Sequence, residues 1–261
     1  LKQNKYEQTA NSKQQTANSK QQTANSKQQT ANSKQQTANT FDFSLYSQSR
    51  MSPFDELALH KLLSMFGSRE LTILEIGSWL GAGSTQVFSQ YARKIVCIDH
   101  WQGNENQEHK DIVAQLDPFQ IFQENTRRFK EKVIPIRCDS SEIGELVANE
   151  VFDFIFIDGD HRYQQTLTDI RNSLPKLKRK GIISGHDCEG RLTEENKEVI
   201  HSNLENDHIQ SCFKNFVHMH PGVIKAVSET IENVVLFGED ENQLTLETGA
   251  VGYSSIWYKK G

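Results

Sequence analysis

Short apolar runs recur along this chain at Leu71–Ile76, 94–98, Val133–Arg137, Phe152–Ile157 and 181–184. Helical segments lie between them; in residues 163–174, for example, Tyr163, Leu167, Ile170 and Leu174 mark one face. Runs of this length read as buried strands. Their alternation with helices implies an α/β fold, a doubly wound and mostly parallel sheet with helices on both faces. In such a sheet ligands bind beyond the carboxyl ends of the strands, so the residues that carry chemistry should follow each apolar run. A helix precedes the first run: Ser52-Pro53 supplies an N-cap and a proline at the first helical position, with Asp55 and Glu56 in the first turn. Phe54, Leu57, Leu62 and Phe66 follow at helical spacing, and Gly67 ends it.

The first run ends in Glu75-Ile76-Gly77-Ser78-Trp79-Leu80-Gly81-Ala82-Gly83. Glycines here let the backbone turn tightly and approach a ligand, and the helix that follows presents free N–H groups. A dinucleotide fingerprint fails, because counting from Gly81 and Gly83 the third glycine position is Gln86. The second run ends at Asp99, where a carboxylate can accept both hydroxyls of a ribose or simply cap the strand. The third leads into Cys138-Asp139-Ser140-Ser141, polar groups that suit an adenine edge or a turn. The fourth ends in Asp158-Gly159-Asp160-His161 and the fifth in Gly185-His186-Asp187. If these two strands are neighbours, their carboxylates and imidazoles converge, and such a set can hold a divalent cation.

Outside the alternating region the chain is different. Residues 8–40 repeat the unit QTANSKQ, offering one alanine per seven residues where a coiled-coil seam needs two larger apolar groups. Residues 1–40 therefore read as a disordered tail, and the folded domain as 41–261. Six Lys and one Glu fall in the tail, so the remainder carries a net charge of -10 against -5 for the whole chain. An acidic domain does not suit a phosphate backbone, which argues against nucleic acid as the main partner. No apolar run reaches membrane-spanning length, and residues 1–40 lack the apolar core of a secretory signal. Cys97, Cys138, Cys188 and Cys212 form no CxxC pair, which reads as reduced thiols in a cytoplasmic protein.

Taken together, the motifs resemble those of class I S-adenosylmethionine-dependent methyltransferases, within them the small-molecule O-methyltransferase type. The resemblance runs from about residue 51 to 258. It rests on the Glu75–Gly81 block, with Trp79 where the common pattern has glycine, on Asp99-His100-Trp101-Gln102-Gly103, and on Phe152–His161. Two later stretches, 222–227 and 255–258, add to it. The resemblance implies a Rossmann-like sheet with an antiparallel last strand, for which 234–237 and 254–258 are the available apolar runs. It implies that Gly77, Ser78 and Gly81 form the turn beneath the methionine part of S-adenosyl-L-methionine, supported by Glu75. It further implies that Asp99 holds the ribose, that Asp139 and Ser140 flank the adenine, and that Asp158 borders the same site.

Metal-dependent relatives bind magnesium at positions that correspond to Asp158, His186 and Asp187. Imidazole at 186 suits softer ions, so the resemblance implies magnesium, manganese or another divalent metal, or none. His161 stands where relatives place a general base, and a histidine can take a hydroxyl proton near neutral pH. The expected activity is methyl transfer to a hydroxyl of a small metabolite, a sugar or a phenolic. Two rival functions are a nucleotide-dependent oxidoreductase or epimerase and a non-catalytic binding module. The missing third glycine disfavours the first, and intact Glu75, Asp99 and Asp158 disfavour the second. Residues 104–130 read as a lid, an acceptor wall or an ordinary helix. His201, His208, His218 and His220 match no metal spacing and read as solvated. Nothing in the residues selects between a monomer and a homo-oligomer.

Overall fold

The structure is a computed structural model that describes residues 46–49, 51–104 and 107–261. The repeat lies outside the described residues, and the compact unit runs Tyr46–Gly261. Its first helix, α1 (Pro53–Ser64), begins as its sequence predicts: the Ser52 side chain accepts from the Asp55 N–H, and the Asp55 carboxylate accepts from the Ser52 N–H. Its buried stripe differs from the expected one. Asp55, Ala58, Leu59, Leu62 and Leu63 are buried, whereas Phe54, Leu57 and Phe66 pack only at the margin. Asp55 lies within this buried stripe, its carboxylate satisfied by the Ser52 N–H and hydroxyl and by Ser254 Oγ.

Five strands follow: β1 (Leu71–Ile76), β2 (Ala92–Asp99), β3 (Val133–Arg137), β4 (Phe152–Ile157) and β5 (Leu177–Gly185). β5 starts earlier than the apolar run at 181–184, because its first half is the charged stretch Lys178-Arg179-Lys180, with Lys180 at φ +70°. After the two-stranded pieces β6 (Ile209–Gln210) and β7 (His218–Met219) come β8 (Val235–Leu236), β9 (Leu244–Thr245), β10 (Val251–Gly252) and β11 (Trp257–Lys260). The main sheet has seven strands in the order β3-β2-β1-β4-β5-β11-β8, all parallel except β11. This is the Rossmann-like sheet with its antiparallel strand where the sequence places it.

Alternation along the central strands feeds two cores. Leu74, Ile76, Ile155 and Ile157 pack on one side with Leu167, Ile170, Val223 and Ile224; Ile73, Phe154 and Phe156 pack on the other with Leu59, Leu62 and Phe88. Burying each of those phenylalanines stabilises the fold by about 2 kcal/mol, which makes any slip in register costly. The register in turn fixes the site. Ile76 faces both Ile98 and Ile157, and Ile157 faces Gly185, so β1, β2, β4 and β5 end together. The remaining helices are α2 (Ser84–Ser89), α3 (Gln107–Gln115), α4 (Pro118–Thr126), α5 (Ile143–Leu146), α6 (Tyr163–Ser173), α7 (Lys197–His201) and α8 (Pro221–Thr230).

Candidate active site

At the joined carboxyl ends of β1, β2 and β4 lies a cavity of about 500 Å³, lined among others by Gly77, Trp79, Asp99, Asp139, Ser140 and Asp158. Gly77 sits at φ +82°, and a Cβ there would come within 1.9 Å of the Asp158 carbonyl oxygen. Only glycine lets β1 turn this close to β4. Gly81 (φ +67°) closes the turn by donating its N–H to Ser78 O at 2.8 Å, and packs against Phe122 and Thr126 of α4. Gly81 and Ser78 thus shape the turn from behind, and of the three only Gly77 lines the cavity.

Glu75 is fully buried behind the same turn. Its carboxylate accepts from Ser84 Oγ at 2.5 Å and Thr85 Oγ1 at 2.7 Å, fastening the start of α2. Burial pushes its pKa up, against the pull of those hydroxyls. This is a supporting role, without contact with the cavity. Asp99 does line the cavity, and its two oxygens accept from the Trp79 N–H at 2.7 Å and the Trp101 N–H at 2.6 Å. Both tryptophans have positive φ, 41° and 53°, so Asp99 holds two residues in the left-handed conformation that costs about 1–2 kcal/mol each. Trp79, standing where the common pattern has glycine, stacks on His109 of α3 with ring centroids 4.2 Å apart. Asp139 accepts from the Ser141 N–H and hydroxyl, and Ser140 Oγ accepts from Gln165. Segment 104–130 divides: α4 is an ordinary helix whose Phe119 and Phe122 pack on buried Trp101, while His109 and Lys110 of α3 face the cavity.

Beside the cavity, Asp158, His161, His186 and Asp187 come together. His161 Nε2 lies 3.0 Å from Asp187 Oδ2 and 3.9 Å from Asp158 Oδ1. His186 Nδ1 lies 3.1 Å from Asp187 Oδ1 and 3.8 Å from Asp158 Oδ1. One donor atom each from Asp158, His186 and Asp187 falls within 4.8 Å of the others. One nitrogen and two carboxylate oxygens suit manganese, iron or zinc better than magnesium. Burial works against charge on these groups, yet Asp187 and Asp158 outweigh it and raise both histidines well above their ordinary value. Asp187 falls well below its own despite burial, chiefly through His186, His220 and His161.

Four further residues complete the cluster without a sequence signal. Asp207, in the loop before β6, accepts from His161 Nδ1 at 2.8 Å. Asp55 of α1 lies 3.3 Å from His186 Nε2 and accepts from Ser254 Oγ at 2.6 Å. His220 has its Nδ1 2.7 Å from Glu189 and 3.6 Å from Asp187 Oδ1. The reading of four solvated histidines therefore holds for His201, His208 and His218, which are exposed, and fails for His220. Its neighbour Met219 is fully buried, and that anchor turns the ring inward. Asp55 and Asp207 reach the cluster from distant chain positions, and in isolation each looks like an ordinary cap or loop residue.

Residues 74–188 match the family model described as a methyltransferase domain. That stretch spans β1 to β5 and includes the cavity's glycine turn, Asp99, Asp158, His161, His186 and Asp187. No curated protein matches the chain. Among solved structures, an O-methyltransferase from Bacillus cereus in complex with S-adenosylhomocysteine is 22% identical, with 80% of this chain and 81% of that one covered and a TM-score of 0.47. A Methanococcus maripaludis protein assigned as an S-adenosyl-L-methionine-dependent methyltransferase is 18% identical at TM-score 0.39, covering 51% of this chain. A Galdieria sulphuraria protein assigned as a sarcosine dimethylglycine methyltransferase is 12% identical at TM-score 0.41, covering 67% of this chain. The chain spans 55% and 59% of the lengths of these last two. Among the described residues no helix is long and apolar enough to cross a membrane.

Proposed function

We propose that this chain is an S-adenosylmethionine-dependent methyltransferase acting on a hydroxyl of a small metabolite, a sugar or a phenolic. The observation that carries this reading is Asp158, which lines the cavity and also lies within 3.9 Å of both His161 and His186. A cofactor in the cavity and an acceptor over the cluster would therefore meet at one residue. The cavity's size falls in the ordinary range for small-molecule sites, and its lining offers Asp99 for a ribose and Asp139 with Ser140 for an adenine edge. When bound, the cofactor supplies a sulfonium methyl group that an oxygen nucleophile can displace in line.

The chain's own part is to align and deprotonate the acceptor. Asp207 accepts from His161 Nδ1, and Nε2 faces Asp187 and Asp158. The acceptor hydroxyl is placed beside these carboxylates, and Nε2 takes its proton once the proton it shares with Asp187 has left. The imidazolium that forms lies between two carboxylates, so the proton has a stable resting place while the oxygen attacks. A metal held by Asp158, His186 and Asp187 would lower the hydroxyl's pKa and fix its direction. His161→Ala is expected to lower turnover by about 10²–10⁴-fold with cofactor affinity unchanged. Turnover close to wild type would remove His161 from the base role.

A further inference from the structure

Asp187 is shared between two groups of potential ligands. Its Oδ1 faces His186, as described, while its Oδ2 faces His161 Nε2 at 3.0 Å. His161, Asp187 and His220 each offer one donor atom, and these three atoms lie within 4.8 Å of one another. Two imidazoles and one carboxylate form a donor set suited to zinc, iron or manganese. His161 carries the outer partner that metal-binding histidines usually have, Asp207 at 2.8 Å from Nδ1 with Nε2 facing Asp187. Glu189 holds the His220 ring by Nδ1 at 2.7 Å, and that atom lies 3.6 Å from Asp187 Oδ1. Glu189 is itself buried and also accepts the His220 N–H at 3.0 Å, so the ring's position is set by backbone and side chain together.

Charge points the same way. The ion-pair partners of Asp55, Asp158, Asp187, Asp207 and Glu189 among the described residues are histidines. Even with His161, His186, His208 and His220 all protonated, five carboxylates against four imidazoles leave the nest at -1. A divalent cation would offset that excess.

We propose that His161, Asp187 and His220 form a binding site for a divalent transition-metal ion, separate from the Asp158–His186–Asp187 group and joined to it through Asp187. The site shares His161 and Asp187 with the residues assigned to acceptor activation and adds His220, and an ion here takes the lone pair of His161. Resting on the base role given to His161, zinc at this site blocks methyl transfer.

The test is titration of the full chain with Co²⁺ and with Zn²⁺, read by visible absorption of the cobalt form and by equilibrium dialysis. Wild type is expected to take up an ion that survives His186→Asn and is lost in His220→Ala. Glu189→Gln, which keeps every ligand, is expected to weaken that uptake about 10–100-fold. Thermal unfolding without metal checks that each variant folds, and Glu189→Gln carries the test if His220→Ala does not. No uptake by wild type, uptake lost in His186→Asn, or uptake unchanged in His220→Ala or in Glu189→Gln would each overturn the proposal. Intact uptake without zinc inhibition would instead count against His161 as the base and leave the metal site standing.

Discussion

Replacing Asp169 with Asn removes an ionisable group from beneath the cavity wall. Asp169 lies on α6 and is fully buried; its Oδ1 accepts from Gln165 Nε2 at 3.0 Å, and its Oδ2 has no hydrogen-bond partner. Burial pushes its pKa up from 3.8 to about 7, although hydrogen bonds from Ser140 and Gln165 pull the other way. The fold therefore keeps this proton in a range where the unfolded chain has released it. There the folded state binds more protons than the unfolded state, so stability falls as pH rises, by about 1.4 kcal/mol per unit. Between pH 5 and pH 7 the loss from this one group is about 2 kcal/mol, and above its folded pKa it levels off at about 3 kcal/mol. Asparagine has nearly the same shape and does not titrate. Urea unfolding of wild type and Asp169→Asn at pH 5 and pH 8, with unchanged m-values, isolates the term. The wild-type protein should lose about 3 kcal/mol more than the variant across that interval. Parallel losses in the two proteins would refute the buried, protonated carboxyl.

Gly77→Ala should destabilise the fold by at least about 2–4 kcal/mol, from left-handed strain together with overpacking against the Asp158 carbonyl, measured by chemical denaturation. Asp55→Ala should cost about 1–3 kcal/mol, because it removes the acceptor of the Ser52 N–H in the capping box and leaves Ser254 Oγ without its acceptor; a variant as stable as wild type would show that the Asp55 contacts contribute nothing.

Much of the sheet can be read directly from the chain. β1 and β4 begin and end with their apolar runs, because strands covered on both faces have no solvent side to interrupt the pattern. β3 also matches its run, but it lies at the sheet edge and none of its residues is buried, against the expectation of a buried strand. β5 could be read only in its second half, since Lys178, Arg179 and Lys180 give its beginning the look of a surface turn. The same logic separates the site residues. Gly77, Asp99, Asp158, His161, His186 and Asp187 sit at strand ends, where topology assigns them a place before any contact is known. Asp55, Asp207, Glu189 and His220 arrive through a helix cap, a loop, the stretch after β5 and a helix start. Their local sequence looks the same whether the side chain faces water or the cluster, so only tertiary packing distinguishes them. Glu75 shows the opposite case: its position is legible, but its side chain turns inward to Ser84 and Thr85 and stays away from the cavity.

The central claim is that the cavity at the ends of β1, β2 and β4 takes the sulfonium cofactor. Thermal unfolding of the full chain with S-adenosylmethionine, with its demethylated product and with NAD tests this directly. At a hundred times its dissociation constant, a specific ligand should stabilise the domain by about 2.7 kcal/mol. A shift with the two sulfur compounds, absent with NAD and lost in Asp99→Ala, is the predicted result. No shift with either sulfur compound, or a shift with NAD alone, would contradict the account.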